Sequence, residues 1–148
     1  MDQLLEFLRE YTEFFEKMEQ TQVEKLGLLM TKKLEKIEAS IMMQQAMDKQ
    51  LENLENRRRA LFSSLGFGNS TLKEIAEGAE GAEQKELLEL YRRLDGAIGN
   101  IRFYNEKAEK LAKDELERMG VDGRLAANPT GIYGRAARPA GLNFEKKA

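Results

Sequence analysis

One corner of the chain decides its fold: Leu61-Phe62-Ser63-Ser64-Leu65-Gly66-Phe67-Gly68-Asn69-Ser70-Thr71-Leu72-Lys73-Glu74-Ile75. Gly66 and Gly68 can adopt the left-handed backbone conformation that commonly ends a helix. Thr71 and Glu74 have the spacing of a capping box, in which the hydroxyl and the carboxylate each accept a hydrogen bond from a backbone amide. The stretch therefore predicts that one helix ends near Leu65 and that another begins at Thr71.

Apolar residues recur at three- and four-residue steps on both sides of this corner, which is the pattern of amphipathic helices. Before the corner the pattern predicts one long helix over about residues 2–65, interrupted by a polar stretch and by Gly27. After the corner it predicts a short helix over about residues 71–77 and a long helix over about residues 84–119. The predicted seam of this last helix comprises Leu87, Tyr91, Leu94, Ile98, Ile101, Asn105, Ala108 and Leu111.

The lengths of these helices leave two architectures open. At 1.5 Å per residue the first helix would be roughly 90 Å long and the last roughly 55 Å, so the last cannot cover the whole first seam. Either the first helix breaks near Gln20–Gly27 and gives a three-helix bundle, or its apolar end protrudes. The predicted fold is all-α: an antiparallel bundle or coiled-coil-like pair of long helices, joined by a short helix, in residues 1–119. Residues 120–148 are predicted to be a flexible basic tail.

Composition excludes several classes of function. The 148 residues include no Cys and no His, which rules out disulfides, thiol chemistry, catalysis by His and most zinc sites. Carboxylates are interleaved with Lys on the predicted solvent faces, so we expect no catalytic site, no metal and no cofactor. The chain has no apolar run of about 18 residues and no signal-like N-terminus, which predicts a soluble cytoplasmic protein without stable membrane insertion.

Charge separates the tail from the helices. Residues 120–148 contain five basic and two acidic side chains, a net charge of +3, whereas residues 1–119 carry −5. Within the tail, Ile132 and Tyr133 form an apolar pair between glycines, which indicates either a linear recognition element or chance composition. The acidic surroundings of Arg57-Arg58-Arg59 favour a solvated face over binding of nucleic acid.

Two features of the helices allow more than one interpretation. The methionines could form an adaptable surface for a partner helix, because Met accommodates irregular partners, or they could fill the core. They are Met30, Met42, Met43 and Met47. Asn105 stands on the apolar seam of the last helix, where a polar residue typically fixes the register of packed helices.

Several features together resemble one known family. They are the corner Leu65-Gly66, the segment Ser70-Thr71-Leu72-Lys73-Glu74-Ile75, the pair Asn100 and Asn105, and a Tyr133-Gly134 segment followed by basic residues. Over residues 1–137 the chain resembles the FlgN-type flagellar export chaperones. The resemblance implies an antiparallel helical chaperone in the cytoplasm that holds hook-associated proteins through their amphipathic terminal helices. It also implies a tail tyrosine that docks on the export gate; Tyr133 matches it, although Ala137 stands where the family often has glycine.

This resemblance gives a set of candidate binding residues. The predicted client-binding residues are Met42, Met43, Met47, Ile98, Ile101 and Leu111. The predicted residues for the cytoplasmic domain of the export gate are Ile132 and Tyr133. The alternative hypothesis is a self-associating coiled-coil scaffold, a homodimer for instance, that uses the same seams and has no role in export.

Overall fold

Helices form all the regular structure in the part of the chain that the computed structural model describes, residues 1–118 and 120. The four helices are α1 (Asp2–Met30), α2 (Leu34–Ser64), α3 (Leu72–Gly78) and α4 (Gly81–Arg118). The predicted all-α fold, with a short helix between long ones, is confirmed. The predicted flexible tail lies outside the described residues.

The corner between α2 and α3 has the local chemistry that its sequence predicts. Gly66 and Gly68 adopt positive φ angles of 82° and 52°. The Glu74 amide donates to the Thr71 hydroxyl at 3.1 Å, and the Thr71 amide donates to the Glu74 carboxylate at 2.9 Å. Both halves of the capping box are therefore present, and α3 begins where they fix the backbone.

The prediction of one helix over residues 2–65 is wrong, because the chain turns back at residues 31–33. The turn depends on Lys32, whose φ of 61° is unusual for a residue other than glycine. It brings Leu29 and Ile37, both almost fully buried, into one apolar cluster. Gly27 stays inside α1, since the roughly 1 kcal/mol cost of a helical glycine is smaller than the gain from burying such side chains. The result is the three-helix alternative, with the break after Gly27.

Helix α1 packs against both other long helices. Hydrogen bonds between α1 and α4 join Arg9 to Glu86, Glu16 to Arg93 and Lys25 to Asn105. Hydrogen bonds between α1 and α2 join Tyr11 to Glu55 and Gln22 to Gln44. In the α1–α4 bonds, a higher residue number on α1 goes with a higher number on α4. In the α1–α2 bonds, a higher number on α1 goes with a lower number on α2. Helices α1 and α4 are therefore parallel, and α2 is antiparallel to both.

The apolar interior is divided into two cores. The proximal core, near the corner, contains most of the large buried side chains of all four helices, among them Tyr11, Phe15, Leu51, Leu72 and Leu94. The distal core, near the turn between α1 and α2, contains only Leu29, Ile37, Ala108 and Ala112 as buried members. The distal half of the bundle thus has a smaller apolar interior than the proximal half.

A buried polar layer separates the two cores; its members are Gln22, Lys25, Gln44 and Asn105. The Gln22 amide nitrogen donates to the Gln44 Oε1 at 2.7 Å. The Lys25 ammonium donates to Asn105 Oδ1 at 3.0 Å and lies 3.4 Å from the same Gln44 oxygen. Buried polar groups are costly unless they are satisfied, so this layer favours the one alignment of the helices in which they meet. Asn105 therefore has the position that its predicted role in register requires.

Burial shifts the pKa of two groups at this layer. It lowers the pKa of the Lys25 ammonium to about 8, against the opposing effects of Glu109 and Asp48. It raises the pKa of the half-buried Asp48 carboxyl to about 7, although the Gln44 amide donates to it at 3.1 Å and Lys25 is nearby. Because the folded protein disfavours the ionised carboxylate, Asp48 costs stability increasingly as the pH rises from about 4 to 7. The buried Lys25 has the opposite dependence, and its cost is relieved as the pH rises from about 8 to 10.5.

We expect Asp48→Asn to be more stable than the wild type at pH 8 by about 1–2 kcal/mol, since one pKa unit corresponds to about 1.4 kcal/mol and partial exposure screens the effect. The difference should narrow as the pH falls towards 5, where the native carboxyl is protonated. Urea unfolding of both proteins at pH 5, 6.5 and 8 measures this. Glu52→Gln, at an exposed position four residues further along α2, is the matched control. An Asp48→Asn protein that is less stable than the wild type at pH 8 would contradict the expectation.

Candidate functional site

The six residues predicted to bind a client do not share one accessible surface. Met42 is 69% exposed on α2, and Met43 and Leu111 are half-buried. The remaining three, Met47, Ile98 and Ile101, are buried together in the proximal core. Periodicity places all six on apolar positions of helices, but it does not separate a residue of the core from one at the surface. The two residues predicted to contact the export gate, Ile132 and Tyr133, lie outside the described residues.

Exposed apolar side chains are concentrated in the distal half of the bundle. The large exposed ones are Met1, Val23, Met30, Leu34, Met42, Leu88 and Phe103. Met30 and Leu34 are exposed because the chain turns back between them. Val23 and Phe103 stand off the predicted seams, so seam periodicity did not identify them. The distal half therefore combines a small core with most of the apolar surface.

The surface between the parallel helices α1 and α4 changes character along its length. In its proximal half it is bridged by charge: Arg9 to Glu86 at 2.5 Å and Arg93 to Glu16 at 2.6 Å. The hydrogen bond from Arg93 is the main cause that lowers the pKa of the Glu16 carboxyl. Because these side chains are partly exposed, each pair contributes little stability, but together they cover the proximal groove.

Seven-residue steps along α1 show where this bridging stops. Arg9 and Glu16 carry the ion pairs to α4, and the next two positions at the same spacing are Val23 and Met30. Their side chains are 49% and 64% exposed. A helix presents nearly the same face every seven residues, so the face that is charged in the proximal half becomes apolar in the distal half.

The groove between α1 and α2 has a different chemistry. Near the corner it holds an open cavity of about 640 Å³, whose lining includes Phe7 and Leu61. Arg57 crosses this cavity, pairing with Glu10 at 2.6 Å and lying 5.4 Å from the centre of the Phe7 ring. Below it, Glu55 is buried and accepts hydrogen bonds from the Tyr11 hydroxyl and from Arg58. These groups satisfy one another within the bundle.

Two kinds of site can be checked directly in the described residues. Among residues 1–118 and 120 no group of three or more acidic side chains is arranged to hold a metal ion. Within the same residues no helix combines the length and the apolar character needed to cross a membrane. What the bundle presents is exposed apolar side chains beside charged ones, which suits an amphipathic helix.

Comparison with known proteins identifies one family. No curated protein and no solved structure shows significant similarity to this chain. The family model described as FlgN protein matches residues 1–121, which include all four helices. The resemblance to this family is thereby confirmed over residues 1–121, and the chain belongs to the FlgN family.

Proposed function

We propose that this chain is a cytoplasmic chaperone that binds hook-associated proteins and delivers them to the flagellar export gate. The match of the FlgN family model to residues 1–121 is the observation that carries this proposal, because the family is one of flagellar export chaperones. The bundle supports it by offering exposed apolar side chains, most of them in its distal half. The clients are held through amphipathic terminal helices.

Client binding begins at the accessible apolar residues. Of the predicted contacts, Met42, Met43 and Leu111 can be reached by a partner without any change in the bundle. Met47, Ile98 and Ile101 support the proximal core, and a client would reach them only if α2 separated from α1 and α4. Their replacement by polar residues would therefore report on folding more than on binding.

Docking on the export gate is assigned to Ile132 and Tyr133 in the tail. This assignment rests on the position of Tyr133 in the family pattern and on the apolar character of the pair in a basic segment. A tyrosine ring can bury a large area in a partner pocket while its hydroxyl forms a hydrogen bond. Client binding and gate docking are thus assigned to separate parts of the chain.

The alternative is a self-associating coiled-coil scaffold. The two hypotheses predict different masses for the particle in solution. We expect light scattering of a mixture with a purified hook-associated protein to show one chaperone with one client. A stable homo-oligomer whose mass is unchanged by hook-associated proteins would contradict the chaperone proposal and support the scaffold. Both measurements use the full 148-residue chain.

Tyr133→Ala should leave thermal stability and client affinity unchanged and weaken docking on the export gate at least tenfold. The physical reason is the loss of an aromatic anchor, which typically costs about 2 kcal/mol or more at an interface. Titration of the isolated cytoplasmic domain of the gate with wild-type and variant chaperone–client complexes measures the effect. Secretion of hook-associated proteins should fall in cells that carry the variant.

Two further variants sharpen this measurement. Tyr133→Phe retains the apolar ring and should bind the gate with intermediate affinity. Phe144→Ala removes an aromatic residue from a second, weaker candidate element of the same tail, Leu142 and Phe144, and should lose less affinity for the gate than Tyr133→Ala does. Equal gate affinity of the wild type and Tyr133→Ala would refute the docking role of Tyr133.

A further inference from the structure

The hydrogen bonds between α1 and α4 fix which residues face each other in the distal half. Asn100 donates to Glu19 across an offset of 81 residues, and Lys25 donates to Asn105 across an offset of 80. An offset of 81 residues, four more than that of the proximal ion pairs, places Val23 level with Tyr104 and Met30 level with Leu111. We call these four residues the distal groove: Val23 and Met30 on its α1 side, Tyr104 and Leu111 on its α4 side.

The distal groove is apolar on both sides. Val23 is about half exposed and Met30 is mostly exposed, whereas Tyr104 and Leu111 are half-buried. Phe103, 57% exposed, extends the α4 side because its ring lies against the Tyr104 ring with centres 5.4 Å apart. Between Val23 and Met30 the groove spans about 10 Å, two turns of helix. On the α1 side, Val23 and Met30 occupy the positions that ion-paired side chains occupy in the proximal half, whereas the corresponding positions on α4 are Asn100 and Lys107.

Gly27 leaves the backbone of α1 uncovered by a side chain on the groove side. Gly27 lies four residues after Val23 and three before Met30, which places it on the same face of α1. A Cβ added there would meet no atom within 4 Å. A partner helix can therefore approach the backbone of α1 closely at this point.

Charges along the two edges indicate the kind of partner. The α1 edge carries the exposed Glu24. The α4 side carries the exposed Lys110 and Lys107, and the Lys107 ammonium lies 5.4 Å from the centre of the Phe103 ring. A complementary partner has an apolar stripe with basic residues along one side and acidic residues along the other. Such a stripe is the feature of an amphipathic helix, and two parallel helices form a groove that accepts one more helix.

The size of the surface favours a single helix over a second copy of this chain. Even if the three most exposed side chains each offered about half of the 150–250 Å² that an aromatic residue can bury, they would supply roughly 200–400 Å². A stable protein–protein interface buries about 800 Å² on each partner. A groove two turns long is thus too small for a stable homodimer by itself, whereas it matches the contact of one helix within a larger client interface.

We propose that the distal groove binds one amphipathic helix of the client, with the apolar stripe of that helix packed against Val23, Met30, Tyr104 and Leu111. This inference rests on the proposed function, because it takes the client to be a hook-associated protein. The helix lies along α1 and α4, its basic edge beside Glu24 and its acidic edge beside Lys107 and Lys110. It becomes the fourth long helix of the distal half.

The test compares variants of the full chain for binding to purified hook-associated proteins by titration calorimetry. The double variant Val23→Ser, Met30→Ser removes exposed apolar contacts and should lose at least tenfold in affinity. Gly27→Gln adds bulk to the groove and should lose at least tenfold as well, while its melting temperature stays the same or rises because Gln favours the helix. A variant that is more stable yet binds less well separates binding from folding.

Two matched variants serve as controls. Leu88→Ser removes an apolar side chain of similar exposure, 42%, from the proximal part of α4 and should bind within about threefold of the wild type. Met42→Ser removes the most exposed methionine of α2, a predicted client contact that lies outside the groove, and should lose less affinity than the double variant. The order of these affinities supports the distal groove.

Four other outcomes would contradict the proposal, each for a different reason. If the wild type binds a client and the groove variants bind equally well, the groove is wrong and the chaperone function stands. If the wild type binds none of the hook-associated proteins, the proposed function fails and the groove fails with it. A larger loss for Met42→Ser than for the groove variants would place the client on α2. A free wild-type dimer that Gly27→Gln converts to a monomer would make the groove a contact between copies.

Discussion

The buried ammonium of Lys25 is the constraint on which the alignment of this bundle depends. An ammonium ion taken out of water costs several kcal/mol unless other groups solvate it. Here Asn105 from α4 and Gln44 from α2 supply oxygens within 3.4 Å, so one side chain of α1 requires both other long helices. A shift of either helix by one turn would leave the charge without these partners. The polar layer therefore selects a single register, which leucine seams alone would specify less sharply.

The same register determines which residues of α1 and α4 lie opposite each other along the groove. An offset of about 80 residues between α1 and α4 at Lys25 also brings Glu19 to Asn100 and leaves Val23 beside Tyr104. The two cores on either side of the layer are unequal. The proximal one buries large side chains from four helices, whereas two of the four buried members of the distal one are alanines, which contribute little apolar area. Stability is thus concentrated near the corner, and apolar surface is concentrated away from it.

The sequence predicted the features of this fold that are decided locally. The corner at Gly66 and the capping box of Thr71 are made by neighbours in sequence, so their residue types alone indicate them. The turn around Lys32 contains no glycine or proline, so the residue types there do not indicate a turn. It is accompanied by the burial of Leu29 and Ile37 in one cluster, which depends on the packing of the helices and not on neighbouring residues in the sequence. Gly27 suggested a break near itself, but α1 continues through Gly27 and the chain turns back at residues 31–33.

The candidate site was predictable to a similar and limited degree. Seam periodicity found Met47 and Ile101 as apolar helix positions, but these stabilise the proximal core. It did not identify Val23, because a residue off the seam is ordinarily at the surface and polar. The signal that could have found it is the seven-residue series from Arg9, in which two charged positions are followed by two apolar ones. That series acquires meaning only once α4 is known to lie parallel beside it.

The polar layer and the distal groove are both formed by residues of α1 and α4. The hydrogen bond between Lys25 and Asn105 joins α1 to α4 close in sequence to the exposed Val23 and the half-buried Tyr104. The spacing of the two sides of the groove is therefore set by buried hydrogen bonds, and the contacts offered to a helix are set by exposed side chains. We therefore expect changes in the layer to alter both the stability of the bundle and the width of the groove, and changes at Val23 or Met30 to alter mainly the contacts offered to a partner. A bundle arranged in this way can present an apolar surface to a client without depending on that surface for its own fold.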